Sequence, residues 1–252
     1  MIEDESGLSS KPLAGSERAR PIMRVIGLLG GMSWESTELY YRLINEGVKS
    51  RLGGLHSARI ALISVDFHEI EEMQHRGDWV GAGQALAQAA KQVESAGADF
   101  LLICTNTMHK VAPEIQEAIS IPILHIADAT GRRIKEAGMT TIGLLGTSFT
   151  MEQDFYKGRL TEMYGLTVLI PSKPDREIVH RIIYDELCLG QVRDVSRDEY
   201  LRIMEDIRGR GAEGIIEGCT EIAMLVQQQH TDIPLFDTTS IHAEEAVLEA
   251  TW

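Results

Sequence analysis

The sequence is poor in the features that mark membrane, nucleic-acid-binding and disulfide-stabilised proteins. No apolar run approaches the roughly 20 residues of a membrane span. The net charge of -14 comes without a basic cluster that could neutralise phosphates. The three cysteines, at positions 104, 188 and 219, are an odd and widely spaced set, which favours free thiols in a reducing compartment. We therefore expect a cytoplasmic protein with no nucleic-acid or membrane partner.

Motifs for metal ions and nucleotides are also missing. The chain has no CxxC and no HExxH pattern. Gly27, Gly30 and Gly31 form a glycine-rich segment, but it lacks both the GxGxxG spacing and the GK[ST] end of a phosphate loop. The sequence therefore predicts neither a metal site nor a nucleotide-binding loop.

The most informative feature that is present is an internal duplication. The stretch GADFLLICTNT at 97–107 matches GAEGIIEGCTE at 211–221, so Thr105 pairs with Cys219 and Asn106 with Thr220. A second pair agrees, because IGLLG at 26–30 recurs at 142–146. Repeats of this length indicate two similar halves.

Short apolar runs alternate with helical patterns in both halves. Strands are predicted at 25–29, 59–65, 100–104, 123–126, 141–145, 167–170, 214–217 and 235–236, and helices at 33–52, 80–96, 151–163, 176–188 and 196–208. This alternation predicts an α/β fold of two similar lobes, each a parallel sheet flanked by helices, with the active site in the cleft between them. We assign residues 22–120 plus 238–252 to the first lobe, 121–237 to the second, and the polar segment 1–21 to a disordered leader.

Thr105 and Cys219 each follow a predicted strand, at the end where parallel sheets bind ligands. If the lobes face one another, these side chains approach one molecule from opposite sides. A base on one face and an acid on the other can invert a carbon acid such as the alpha carbon of an amino acid. A helical pattern after Cys219 would place its sulfur near a helix N-terminus, which lowers a thiol pKa. We therefore predict Cys219 as the base and Thr105, directly or through a water, as the acid.

Cys104 is the alternative to Thr105. Side chains alternate along a strand, so Cys104 should point away from the face that Thr105 occupies. The duplication agrees, because Thr105 is the partner of Cys219. A distortion at the strand end would instead bring Cys104 into the cleft, and the sequence leaves this open.

From Arg24 onward the chain resembles a known family. The segments GLLGGMSWEST at 27–37, CTNTMH at 104–109 and GCTE at 218–221 are similar to signatures of the aspartate/glutamate racemases, in their broad amino-acid racemase branch. The resemblance implies a PLP-independent amino-acid racemase with two lobes, no cofactor, an amino-acid substrate and a homodimeric state. Typical members have Cys-Asn-Thr in the first lobe, where this chain has Thr105. The resemblance also implies faster turnover from the L side.

Several polar residues are candidates for holding the substrate. Asn106, Thr107 and Thr220 could donate hydrogen bonds to its carboxylate. Met32 in the GGMS loop and Thr147 in the corresponding GTSFT segment resemble further substrate contacts. A plainer interpretation is that the Thr and Asn residues only cap helices.

Selection of the substrate side chain is less defined. Gln74 is our candidate contact, and Arg76 or Lys157 could instead supply charge. Family members that demand an acidic side chain tend to have a lysine where this chain has Cys188, which argues against strict aspartate specificity.

Two other functional classes remain open. Related decarboxylases and cis-trans isomerases share the scaffold, and a decarboxylase of this kind needs only one cysteine. The second of these classes is a non-catalytic amino-acid-binding protein. A thiol at the point where the repeats converge favours an enzyme.

Overall fold

The chain forms two parallel sheets, one in each half. The computed structural model describes residues 23–251, so the predicted leader at 1–21 lies outside the described residues. The strands are β1 (Ile26–Gly30), β2 (Ile60–Ser64), β3 (Phe100–Ile103), β4 (Thr141–Gly146), β5 (Thr167–Leu169), β6 (Ile215–Gly218) and β7 (Leu235–Asp237). The first sheet has the order β2-β1-β3 and the second the order β5-β4-β6-β7.

Helices connect the strands and cover the sheets. They are α1 (Trp34–Leu52), α2 (Phe67–Arg76), α3 (Trp79–Ser95), α4 (Ala112–Ala118), α5 (Ile126–Glu136), α6 (Ser148–Glu152), α7 (Asp154–Tyr164), α8 (Lys173–Asp185), α9 (Asp194–Gly209), α10 (Ile222–Leu225) and α11 (Thr238–Ala250), with 3-10 turns at Thr107–Val111, Leu187–Leu189 and Gln228–His230. Over residues 23–251, none of the helices is both long and apolar enough to span a bilayer.

The duplication extends to the strand register. Gly27 pairs with Leu101 between β1 and β3, and the equivalent Gly143 pairs with Ile215 between β4 and β6. Beside β3, Ile123 forms an isolated parallel bridge to Leu101, in the place that β7 takes beside β6. The predicted fold class, two similar α/β lobes with parallel sheets, is confirmed.

Three predicted elements differ from the structure. The expected helix at 176–188 ends at Asp185, because Glu186 leaves the helical conformation and a 3-10 turn follows at Leu187–Leu189. The expected strand at 123–126 is reduced to the bridge at Ile123, because α5 already begins at Ile126. The expected helix at 151–163 is interrupted at Gln153, whose extended backbone separates α6 from α7. Each difference shortens a regular element close to the point where the two lobes meet.

Helix α11 joins the two lobes by packing. It follows β7 of the second sheet, yet Ala243, Ala246 and Ala250 pack with Ile26 and other buried residues of the first sheet. The same helix also lies against α5, whose apolar residues belong to the core of the second sheet. Its N-terminus is therefore held between the lobes. The lobe boundaries at 120/121 and 237/238 stay a prediction.

Candidate active site

Thr105 and Cys104 face different environments at the end of β3. The Cys104 side chain is fully buried among Leu28, Tyr40 and other apolar residues under α1 and α11. Burial raises the pKa of the Cys104 thiol far above its ordinary value. Thr105 is only half-buried. The strand ends in a tight turn in which the Thr105 amide donates to the Ile103 carbonyl at 2.8 Å, and this turn leaves the Cys104 side chain in the core.

His109 holds the backbone of Thr105. The Ile126 amide donates to His109 Nε2 at 3.2 Å, so the ring proton lies on Nδ1, which donates to the Thr105 carbonyl at 2.8 Å. Burial lowers the pKa of His109 well below its usual range, which keeps the ring neutral. Through this neutral ring, the start of α5 in the second half supports the loop that carries Thr105.

Cys219 lies in the equivalent position after β6 and is half-buried. Its Sγ donates to Glu221 Oε2 at 2.9 Å. Burial, followed by the nearby Glu221 carboxylate, raises the pKa of the Cys219 thiol well above its ordinary value. The expectation of a lowered pKa was wrong. The following helix, α10, has only four residues, so its dipole is too small to offset burial and a neighbouring negative charge.

The Cys219 loop contacts the start of α1 in the other lobe. Ser33 Oγ donates to Glu221 Oε1 at 3.2 Å. Ser36 Oγ donates to the Cys104 carbonyl at 3.0 Å and lies 2.9 Å from Thr220 Oγ1. Because the single Ser36 proton goes to the Cys104 carbonyl, the Thr220 hydroxyl donates to Ser36. The loops that carry Thr105 and Cys219 are thus connected through one serine.

A cluster of three buried hydroxyls joins the lobes on another side. Thr107 Oγ1 lies 3.1 Å from Thr147 Oγ1 and 3.5 Å from Thr150 Oγ1, and the last two are 3.2 Å apart. Thr147 also caps α6 by accepting from the Thr150 amide, as the plainer interpretation expected, whereas Thr107 makes no capping bond.

In the Asn106 side-chain amide, the nitrogen makes a hydrogen bond and the oxygen makes none. Its Nδ2 donates to Thr238 Oγ1 at 3.0 Å. Its Oδ1 is buried and has no hydrogen-bond partner among residues 23–251. Asn106 was expected to donate to a substrate carboxylate; the second Nδ2 proton is still available for this, and the free Oδ1 adds an acceptor. The Thr220 hydroxyl proton is also engaged, because it is donated to Ser36 Oγ.

Met32 and Gln74 lie in packed surroundings at the edge of this region. Met32 belongs to the buried apolar cluster that includes Leu29. Gln74 is buried, its Nε2 is 2.8 Å from Met108 Sδ, and its Oε1 accepts from the Tyr184 hydroxyl at 3.5 Å. Gln74 therefore connects α2 to α8 across the lobes, and its predicted contact with a substrate side chain stays a prediction.

A cavity of about 330 Å³ opens at the start of α1, beside the segment that follows β2. Gly31, Ser33, Asp66 and Cys188 are among its lining residues. Burial, and next the Glu221 charge, raises the pKa of Cys188 to about 12, so this thiol is neutral at pH 7.

The alternative cations are paired with carboxylates elsewhere. Arg76 Nη1 lies 3.4 Å from Glu72, and Lys157 Nζ lies 3.5 Å from Asp154. Neither contacts the residues that surround Thr105 or Cys219. Within the described part of the chain, no group of three His, Cys, Asp or Glu side chains is arranged to hold a metal ion.

Sequence reasoning missed four residues of this region: Ser33, Ser36, Glu221 and Thr238. Glu221 is two positions from Cys219 and was visible in the GCTE segment. The serines were visible in GGMSWES as helix-start residues. Only the tertiary contacts reveal that they bind the opposite lobe.

Comparisons with known proteins agree with this geometry. The model of the Asp/Glu/Hydantoin racemase family matches residues 29–246. A solved structure from Yersinia pestis, provisionally assigned as an Asp/Glu racemase, is 56% identical, covers 91% of this chain and 100% of its own, and has a TM-score of 0.86. An aspartate racemase homologue from Pyrococcus horikoshii OT3 is 32% identical with the same coverage and a TM-score of 0.80. The broad specificity amino-acid racemase RacX of Bacillus subtilis (strain 168) is 23% identical over 172 residues, 65% of this chain and 70% of that protein.

Proposed function

This chain belongs to the Asp/Glu/hydantoin racemase family, and from that membership we propose that it inverts the alpha carbon of an amino acid without PLP or another cofactor. The substrates are aspartate and glutamate or a broader set of amino acids. The observation that carries the proposal is the placement of Thr105 and Cys219 at equivalent strand ends of duplicated lobes whose loops are in contact.

Cys219 acts as the base and Glu221 receives its proton. The thiol of the free protein already donates to the Glu221 carboxylate at 2.9 Å. An ammonium group of a bound amino acid brings a positive charge close to the sulfur, which favours the thiolate. The S–H proton then moves to Glu221, and the thiolate removes the alpha proton from one face of the substrate. Thr105, directly or through a water, returns a proton on the opposite face.

Backbone amides and the Thr107 hydroxyl stabilise the carboxylate as it gains enolate character. One of the two Asn106 Nδ2 protons and the only Thr220 Oγ1 proton are already used in contacts between the lobes. The free Asn106 Oδ1 is an acceptor, which suits the substrate ammonium group better than the carboxylate. This assignment revises the role of Asn106 and keeps Thr107 as predicted.

The asymmetric pair has a defined kinetic consequence. Because the two enantiomers have equal free energy in water, the kcat/KM values of the two directions must be equal. Only kcat and KM separately can differ. A thiol and a hydroxyl differ strongly in acidity, so we expect unequal kcat values, and the family resemblance implies that the L enantiomer has the higher one.

A decarboxylase is the second candidate, because Cys219 has a hydroxyl and not a second thiol as its counterpart. The cis-trans isomerases of the scaffold and a binding protein without catalysis complete the alternatives. A homodimer and a cytoplasmic location remain predictions.

The test is an assay of the purified protein with both enantiomers of aspartate, glutamate and homoserine. Inversion is followed by chiral chromatography, and CO2 release from a 2-substituted malonate is followed in parallel. We expect inversion of at least one amino acid without CO2 release, and loss of that activity in a folded Cys219→Ser variant. CO2 release without inversion would identify a decarboxylase, and amino-acid binding without either reaction would identify a binding protein.

A further inference from the structure

The hydroxyl of Thr238 contacts both lobes at the N-terminus of α11. Its side chain is fully buried. Thr238 Oγ1 donates to the Glu217 carbonyl at 2.8 Å and accepts from Asn106 Nδ2 at 3.0 Å. A hydroxyl has one proton, so its donation to Glu217 requires an N–H donor from Asn106. This requirement fixes the amide orientation that leaves Asn106 Oδ1 free.

Ser36 makes the matching connection at the other side of the same two loops. Its Oγ donates to the Cys104 carbonyl and accepts from Thr220 Oγ1. Ser36 is also buried. Neither hydroxyl takes part in the proposed proton transfer. Each donates one hydrogen bond to one loop and accepts one from the other.

The residues that Ser36 and Thr238 contact lie on both sides of Thr105 and of Cys219 along the chain. Ser36 holds the residue before Thr105 and the residue after Cys219. Thr238 holds the residue after Thr105 and the residue two positions before Cys219. Each predicted catalytic residue thus lies between two residues that are held by Ser36 and Thr238.

We propose that Ser36 and Thr238 are positioning residues that together set the separation of Thr105 and Cys219 across the substrate. The inference rests on the proposed racemase function and deepens it. A rigid support matters for this reaction because the base and the acid must reach one carbon from opposite faces. A displacement of about 1 Å can lower the rate of such a reaction about 100-fold.

The central variant is Thr238→Val, which keeps the shape of the side chain and removes both hydrogen bonds. We expect kcat for inversion to fall about 100-fold, with KM within about threefold of the wild-type value, because Thr238 does not contact the substrate. Ser36→Ala should have an effect in the same direction. Thr238→Ser keeps the hydroxyl and should restore kcat to within about threefold of wild type.

Thr239→Val is the matched control. Thr239 is the next residue, equally buried, and its hydroxyl has no hydrogen-bond partner among residues 23–251. Replacing it removes the same atom from the same helix turn and leaves both Thr238 hydrogen bonds intact. We expect this variant to keep wild-type kcat.

The decisive readout is the ratio of alpha-proton exchange to inversion, measured in D2O by mass spectrometry and chiral chromatography. In Thr238→Val and Ser36→Ala, Cys219 still removes the proton while its return on the opposite face fails, so the ratio should rise. A merely structural role would lower the melting temperature and the active fraction but leave the ratio unchanged. If Thr238→Val does not fold, Ser36→Ala carries the same comparison.

The possible failures are distinguishable. A wild-type protein that neither exchanges nor inverts any amino acid overturns the proposed function, and this inference with it. An active wild type whose Thr238→Val and Ser36→Ala variants keep its kcat or its exchange ratio overturns the positioning role alone.

Discussion

The Cys219 thiol is protonated in the free protein at neutral pH, because burial and the Glu221 carboxylate both disfavour the thiolate. This differs from reactive cysteines that are activated by a helix N-terminus. Here the nearest acceptor for the proton is the Glu221 carboxylate. The base would therefore form only when the substrate brings its positive charge.

The catalytic pair yields the first prediction at the residue scale. Cys219→Ser should lower turnover by about 10²- to 10⁴-fold, because serine is a far weaker acid than cysteine. Thr105→Cys should bring the kcat values for the two enantiomers closer together, because each face then has a thiol. Both are measured by chiral chromatography starting from each enantiomer.

Thr105→Ser is the control for this pair, since it keeps a hydroxyl and should keep the unequal kcat values. Full turnover in Cys219→Ser, or unchanged asymmetry in a folded Thr105→Cys, would contradict the assigned roles.

Glu217 yields a prediction about stability and pH. Its side chain is buried, and one carboxyl oxygen has no hydrogen-bond partner within the described residues. Burial, and next the Asp237 charge, raises the pKa of Glu217 from 4.5 to about 8. The folded protein thus holds a proton that the unfolded chain releases, so its stability is greatest below the unfolded pKa and is lost as pH rises towards 8.

Glu217→Gln should remove this dependence. Between pH 5.5 and 7.5 the wild-type free energy of unfolding should fall by about 2 to 3 kcal/mol more than that of Glu217→Gln, at about 1.4 kcal/mol per pH unit. Urea unfolding at several pH values measures both. Parallel pH profiles for the two proteins would show that Glu217 ionises normally in the folded state.

At the scale of elements, the turn between β1 and α1 is built around Thr37. Its Oγ1 accepts from the Gly31 amide at 2.8 Å and donates to the Ser33 carbonyl at 2.9 Å. Gly31 has a φ of 93°, and a Cβ there would collide with the Val65 backbone. The turn directs Ser33 and Ser36 towards the opposite lobe.

Thr37→Val should lower the free energy of unfolding by about 1 to 3 kcal/mol, because the buried Gly31 amide is left without an acceptor. Urea unfolding with an unchanged m value measures this loss. Thr161→Val on the exposed face of α7 is the matched control and should change stability by less than about 0.5 kcal/mol. Equal stability of the two variants would contradict the role of Thr37.

The segment that follows the equivalent turn after β4 differs from α1. The chain enters the five-residue α6, stops at Gln153 and begins α7, whereas α1 after β1 continues for 19 residues. Apolar spacing alone predicted one helix across this break, because the same faces of α6 and α7 are buried. Hydrophobic periodicity indicates which residues are buried, but it does not reveal that one residue in extended conformation, Gln153, interrupts the helix.

At the scale of the whole molecule, the chain crosses between its lobes so that α11 returns to the first sheet. This return places Thr238 at the lobe boundary, and α5 places Ile126 beside His109. The Trp79 and Phe149 rings, whose centroids are 5.4 Å apart, extend the contact between the lobes away from the loops that carry Thr105 and Cys219. The lobes therefore support one another near the site.

The sequence by itself determined seven of the eight predicted strands, the duplication and the pairing of Thr105 with Cys219, since these depend on local apolar patterns and on a repeat that survives in the chain. It also indicated that Cys104 points into the core, because side chains alternate along a strand. Only the tertiary structure decided the raised pKa of the Cys219 thiol, the free oxygen of Asn106 and the contacts that Ser36 and Thr238 make with both loops. Burial, nearby charges and hydrogen-bond partners depend on residues that are distant in sequence, and folding alone brings them together.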